Sequence, residues 1–189
     1  MKKRFYQFAA VVMMGAMFAC SAPQQVAQVQ QPDEVDFDVP CTGPDFRTNA
    51  EYFRASADGL SMNMDIAKKM AYTNARAELA TAIQAKVERV TDNYSSSHNF
   101  NGNEEAKQRF QDLPRIVVKQ VVSGTRIICE KMKKTKEGKF HCYVAMELAG
   151  DEIVNSMKDR ISGDDKLKID FEYEKFKKEL KEEMAKGNS

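Results

Sequence analysis

Between Asn63 and about Val90 the chain contains neither Gly nor Pro, and Ala67, Ala71, Ala75, Leu79, Ile83 and Val87 return every fourth residue. That spacing puts one apolar row on an α-helix whose start Ser61 or Asn63 can cap. Lys68, Lys69, Arg76, Glu88 and Arg89 lie off the row, so the pattern predicts a long structural helix with one buried side. A different period governs Lys139 to Leu148, where Phe140, Cys142, Val144, Met146 and Leu148 alternate with His141, Tyr143 and Glu147. Strict alternation predicts a strand with one buried face. The Val- and Ile-rich stretch from Ile116 to Met132 predicts its partner, with Lys136-Glu137-Gly138 as the hairpin turn and Gly124 as a bulge or close-contact point. Glu51 to Ala57, ending in Asp58-Gly59, reads as a further short strand, and Asp151 opens a helix burying Ile153, Val154, Met157 and Ile161.

Polar residues from Thr91 to Glu104, including Ser95-Ser96-Ser97 and Asn99 to Asn103, break the helical pattern and predict a loop or lid-like insertion. A short helix from Glu104 to Asp112 then runs into Leu113-Pro114. From about Asp165 to Lys186, Ile169, Tyr173, Phe176, Leu180 and Met184 recur at three or four residues among alternating charges, the mark of one amphipathic helix. Its narrow stripe either docks on its own domain or meets another chain, which makes Tyr173, Phe176 and Leu180 candidate partner contacts. The order strand, long helix, paired strands, helix predicts an α+β fold, a two-layer sandwich of the long helix on a small antiparallel sheet. Residues 41–163 form the domain and 164–189 the charged C-terminal helix.

Ahead of the domain the pattern changes again. Lys2, Lys3 and Arg4 precede an apolar run from Phe5 to Ala19, too short to span a bilayer but suited to a secretory signal over residues 1–19. It ends in Met17-Phe18-Ala19-Cys20, which resembles a bacterial lipobox apart from the bulky Phe18, so Cys20 is the expected lipidation site. Residues 20–40 follow as a polar tether with an acidic patch at Asp33, Glu34, Asp36 and Asp38. Twenty flexible residues reach about 25 Å end to end, enough to hold a domain clear of the headgroups. Ser21-Ala22-Pro23-Gln24-Gln25 carries no acidic residue beside the cysteine. By resemblance to Gram-negative lipoproteins, that implies the outer membrane, facing the periplasm.

Composition narrows the partners. The 189 residues are 42% hydrophobic and 30% charged, and 29 Lys plus Arg against 28 Asp plus Glu give a net charge of +1. Such a balance lacks the basic excess of a nucleic-acid binder and fits one domain with attached segments. No G-x-S-x-G, H-E-x-x-H, P-loop or G-x-G-x-x-G occurs. Paired carboxylates such as Glu182-Glu183 are expected on a solvated helix surface, where nothing tunes them for acid–base work.

Pro40-Cys41-Thr42-Gly43-Pro44, Tyr52-Phe53-Arg54-Ala55, the four-spaced Ala row with Leu79 and Ile83, Ser123-Gly124, Ile128-Cys129-Glu130-Lys131 and Gly138 to Leu148 together resemble the LPP20 family of bacterial envelope lipoproteins, in its Bacteroidota form. The resemblance covers roughly residues 40–185. It implies a fold and a compartment, and by analogy an assembly or scaffolding role, but no catalytic residue.

An exported chain with four cysteines invites a disulfide, and setting Cys20 aside leaves Cys41, Cys129 and Cys142. A hairpin centred on Glu137-Gly138 places Cys129 opposite Met146 and Cys142 opposite Lys133, beyond the roughly 7 Å Cα limit for a bridge. Shifting the register by one residue puts the two on opposite faces. Cys41–Cys129 is therefore the expected disulfide, with Cys142 a buried thiol. His98 is expected to be solvated. His141 and Cys142 point to opposite faces of a strand and cannot act as base and nucleophile, and a zinc site of Cys41, Cys129 and His141 lacks paired Cys spacing. No cofactor or metal is expected. The leading expectation is a non-enzymatic, lipid-anchored envelope protein that binds other envelope components or itself. Its competitor is a small-ligand carrier or hydrolase with residues 91–103 as a lid.

Overall fold

The computed structural model describes residues 38–167 and 169–186. The expected signal segment, Cys20 and the expected tether up to residue 37 lie outside the described residues. Asp38–Ser189 is one compact unit. Its elements run β1 (Tyr52–Ser61), α1 (Met64–Ser97), α2 (Glu104–Val121), β2 (Arg126–Lys134), β3 (Phe140–Ala149), α3 (Gly150–Gly163) and α4 (Tyr173–Ala185). The three strands form an antiparallel sheet in the order β1-β3-β2, with α1 packed on one face. The α+β sandwich read from the sequence is the fold observed.

Helix α1 starts where Asn63 accepts hydrogen bonds from the Asp65 and Ile66 amides, at 2.9 and 3.1 Å, satisfying two donors that the helix itself leaves unpaired. The four-spaced row is buried throughout and continues through Thr91 and Ser95. At 3.6 residues per turn, each four-residue step rotates the row by about 40°, so it winds around the helix axis. One row therefore serves two partners. The start of the helix lies against the sheet, where Ala67 and Ala71 meet Gly59, and its far end meets α2 and α4, where Tyr94 packs on Phe110 and Phe176. Close approach to the sheet depends on Gly59, where a Cβ would stand 2.4 Å from the Ala67 carbonyl oxygen and 2.6 Å from the Ala71 nitrogen.

Several expectations need correction. Thr91 to Ser97 is helix, not part of an insertion, leaving residues 98–103 as the connection. Beneath that connection the rings of Tyr94, Phe110, Phe171 and Phe176 meet at centroid distances of 5.3 to 6.4 Å, and beside them His98, Phe100, Asp170 and Lys175 border a depression of about 380 Å³. His98 is half-buried rather than fully solvated; it stacks on Tyr94 at 5.0 Å and meets Phe100 edge-on at 5.1 Å. Residues 116–121 belong to α2, which runs through Pro114. Burial of Phe110, Leu113, Val117 and Val118 on one helical face outweighs both the lost amide and the β-preference of the Val-Val pair. Gly124 closes a short 3₁₀ turn, and the bulge lies instead between Ile127 and Cys129.

Strand β1 runs past Ala57 to Ser61. The β2–β3 hairpin has a three-residue loop, Lys136-Glu137-Gly138, with Gly138 at φ 84° and Thr135 bonded to Lys139. Centring the loop on Glu137 shifts the register by one residue from expectation, so Cys129 faces Ala145 and Cys142 faces Met132. At the C-terminus, α4 begins only at Tyr173. Phe176, Leu180 and Met184 are buried in the unit's own core, and the half-buried Tyr173 donates a 2.8 Å hydrogen bond to Asn155.

Candidate functional site

Alternation along the strands divides the chemistry of the sheet between its faces. Phe53, Cys142, Val144, Met146 and Leu148 point into the core under α1. The outer face carries Tyr52, Arg54, Ser56 and Asp58 from β1, His141, Tyr143, Ala145 and Glu147 from β3, and Cys129, Lys131 and Lys133 from β2. Among the described residues no α-helix packs on that face, and its polar residues pair with one another.

Ser56, Ala145 and Cys129 form one rung across all three strands, and the small Ala145 leaves room above it for the chain at Cys41. Cys41 and Cys129 are at disulfide distance, with Cα atoms 5.5 Å apart across 88 residues of sequence. Ser56 Oγ donates to the Cys41 carbonyl at 2.6 Å, and the Arg54 amide donates to Thr48 Oγ1 at 3.0 Å. The segment from Cys41 to Thr48 is thereby strapped onto β1 and β2. The pair expected from the sequence is thus at disulfide distance, and among the described residues Cys142 is the free, buried thiol. Burial pushes the Cys142 thiol upward, which disfavours the thiolate that nucleophilic chemistry requires.

On one side of the strap, Glu147 is buried between two arginines. Arg54 Nε meets Oε2 at 2.8 Å, and Arg126 Nη2 meets Oε1 at 2.6 Å. The Tyr52 ring receives both guanidiniums, 5.3 and 5.4 Å from its centroid. Such a clasp ties both edge strands to β3 through charge-assisted bonds. Beside it, Tyr52, Gly124, Arg126, Glu147 and Glu152 line a shallow depression of about 270 Å³. The alternating pattern placed Glu147 correctly on the outer face, but its burial was not visible without the arginines that the register brings to it.

On the other side, Asp58 Oδ2 lies 2.7 Å from His141 Nε2, and His141 Nδ1 lies 2.9 Å from the Tyr143 hydroxyl. Lys133 sits over the Tyr143 ring at 5.7 Å. Aspartate can accept from Nε2–H while the phenol donates to Nδ1, so both nitrogens of a neutral imidazole are used. This chain of carboxylate, imidazole and phenol positions a phenolic proton, while Ser56 on the same face gives its own proton to the Cys41 carbonyl. His141 and Cys142 point apart, as the strand pattern implied. Among the described residues no group of three or more His, Cys, Asp or Glu is placed to hold a metal ion.

A second charged centre lies away from the sheet. Glu183 is buried, not solvated as expected, because Arg89 and Lys186 both engage its carboxylate. Those hydrogen bonds, Lys186's foremost, hold its carboxyl below the usual range despite desolvation. Lys86, whose amine burial pushes downward, donates to the Glu183 carbonyl oxygen at 2.9 Å. These contacts fix α4 on α1 and are structural.

Compared with known proteins, the chain matches no protein-family model and no curated protein. No helix among the described residues is long and apolar enough to cross a membrane.

Proposed function

We propose that this protein is a lipid-anchored component of a bacterial cell envelope, akin to the LPP20 family, which works by binding other envelope components. The observation that carries this reading is the disulfide-distance pair Cys41–Cys129, because such pairs persist in oxidising compartments. It agrees with the signal-like run and with the lipobox-like Met17-Phe18-Ala19-Cys20 that precedes it. An export signal alone would need only cleavage, whereas a cysteine at its end adds acyl chains that hold the protein at a membrane. Packing supports binding over turnover. The aromatic rings beneath the 98–103 connection pack on one another, and the outer-face histidine is held by its neighbours.

The test is cellular. Wild-type protein should incorporate labelled palmitate and fractionate with the outer membrane, while Cys20→Ala should lose the label and either enter the soluble periplasm or stall before processing. An unlabelled wild type whose fractionation matches the mutant contradicts the anchor. Crosslinking in intact cells followed by capture of the protein should recover envelope proteins or further copies of the chain, and recovery of neither contradicts the binding role.

A further inference from the structure

The end of the sheet where β1 turns into α1 exposes an unusual amount of apolar surface. Among the described residues, five of the eight exposed large hydrophobic side chains fall within eleven consecutive positions: Leu60, Met62, Met64, Ile66 and Met70. Met62 is 67% exposed and Ile66 51%. A soluble surface tolerates scattered apolar residues, but such a concentration at one end of the unit calls for an occupant. Nothing in the local fold requires these types, since the N-cap is made by Asn63 and the packing row by Ala67 and Ala71.

The same end is basic. Ser61 pairs with Phe140 and Phe140 with Lys134, so the Met62 turn and the β2–β3 hairpin leave the sheet together. Lys131, Lys133, Lys134, Lys136 and Lys139 are all exposed there. None of the five makes a salt bridge among the described residues. Of the nearby carboxylates, Asp58 is held by His141 and Glu130 by Lys68 and Tyr72, which leaves Asp65 and Glu137 against the lysines. Apolar side chains beside lysines that have no carboxylate partner, two of them lying over the Tyr143 and Phe140 rings, match an interface that is hydrocarbon below and anionic above. Lysine stems can lie along the apolar layer while their ammonium groups reach the phosphates. A protein partner is the poorer match, because binding hot spots favour Trp, Tyr and Arg, whereas this tip offers Met, Ile and Lys.

From these juxtapositions we infer that the tip formed by residues 60–70 and the 131–139 hairpin docks on the surface of an anionic phospholipid bilayer. Met62 and Ile66 enter the headgroup boundary and the hairpin lysines meet lipid phosphates. The inference goes beyond the anchor proposed above and does not depend on it. A tether of about twenty residues would only raise the local concentration of the tip at the membrane.

Residues 38–189 contain the whole described core and both bridged cysteines, so this unacylated unit separates the tip from any anchor. It should co-sediment with vesicles of phosphatidylethanolamine and phosphatidylglycerol, bind vesicles of phosphatidylcholine at least tenfold more weakly, and lose binding as salt rises. Lys133→Gln with Lys136→Gln should weaken binding on the order of 20- to 30-fold, from about fivefold per lysine near an anionic surface. Met62→Asp with Ile66→Asp should weaken it on the order of tenfold or more, and both variants should keep the wild-type melting temperature because all four side chains are exposed. Absent binding, equal binding to both lipids, or wild-type binding by either variant overturns the proposal. So does a dimer in sedimentation equilibrium that both variants dissolve, which would assign the tip to a second copy of the chain.

Discussion

Truncating Phe176 to Ala removes the ring through which α4 joins the core. Phe176 is 0% exposed and lies 5.4 to 6.4 Å from the rings of Phe171, Tyr94 and Phe110. Complete burial of a phenylalanine makes the loss about 3 to 5 kcal/mol, and the site has little freedom to collapse because three other rings hold one another in place. Against a total of about 5 to 15 kcal/mol for a domain, that is a large share. For a domain of this size each kcal/mol lowers the melting temperature by about 2 to 4 °C, so a drop on the order of 6 to 20 °C is expected. Circular dichroism melts of residues 38–189 measure it, with sedimentation velocity at two concentrations alongside. An unchanged melting temperature would refute intramolecular docking of α4. If self-association also disappeared, the stripe would be an interface between chains.

Three further outcomes follow from the packing. Gly59→Ala should destabilise by about 2 to 3 kcal/mol, at the upper end for overpacking because the obstructing Ala67 and Ala71 atoms are backbone, whereas Gly43→Ala meets no atom within 4 Å and should show only the cost of its φ of 105°; melts of the two variants check this. Cys129→Ser opens an 88-residue separation and should cost on the order of 4 kcal/mol in the chain-entropy model, while Cys142 stays unreactive to thiol reagents until the protein unfolds. The folded carboxyls of Glu183 and Glu130 lie below their unfolded values, so their contribution is present above about pH 4.5 and is lost as pH falls through the lower folded values. Acid titration followed by α4-sensitive fluorescence should show that loss, and Glu183→Gln should flatten it.

Much of the fold was legible because period and burial agree in most elements. The four-spaced row from Ala67 to Val87, the alternation from Phe140 to Leu148 and the stripe through Phe176 each translated directly into packed faces. The row's last members were hidden by their chemistry: Thr91 and Ser95 occupy buried positions with hydroxyls that have no hydrogen-bond partner, so polarity disguised a continuing helix. The Val-Val pair of α2 misled in the opposite sense, since β-branching favours strand until a neighbouring helix supplies the apolar surface. The cysteine pairing survived a register displaced by one residue because either register keeps Cys129 and Cys142 apart. Glu147, Arg54 and Arg126 illustrate the limit, as their clasp depends on cross-strand neighbours distant in sequence.

Intact-mass and peptide mass spectrometry of the protein purified from its native membrane tests the central claim most directly. The account predicts a chain beginning at Cys20 that carries acyl groups, with Cys41 linked to Cys129 and Cys142 as a free thiol. A chain that begins elsewhere without lipid, or that retains three free thiols after Cys20, would contradict it.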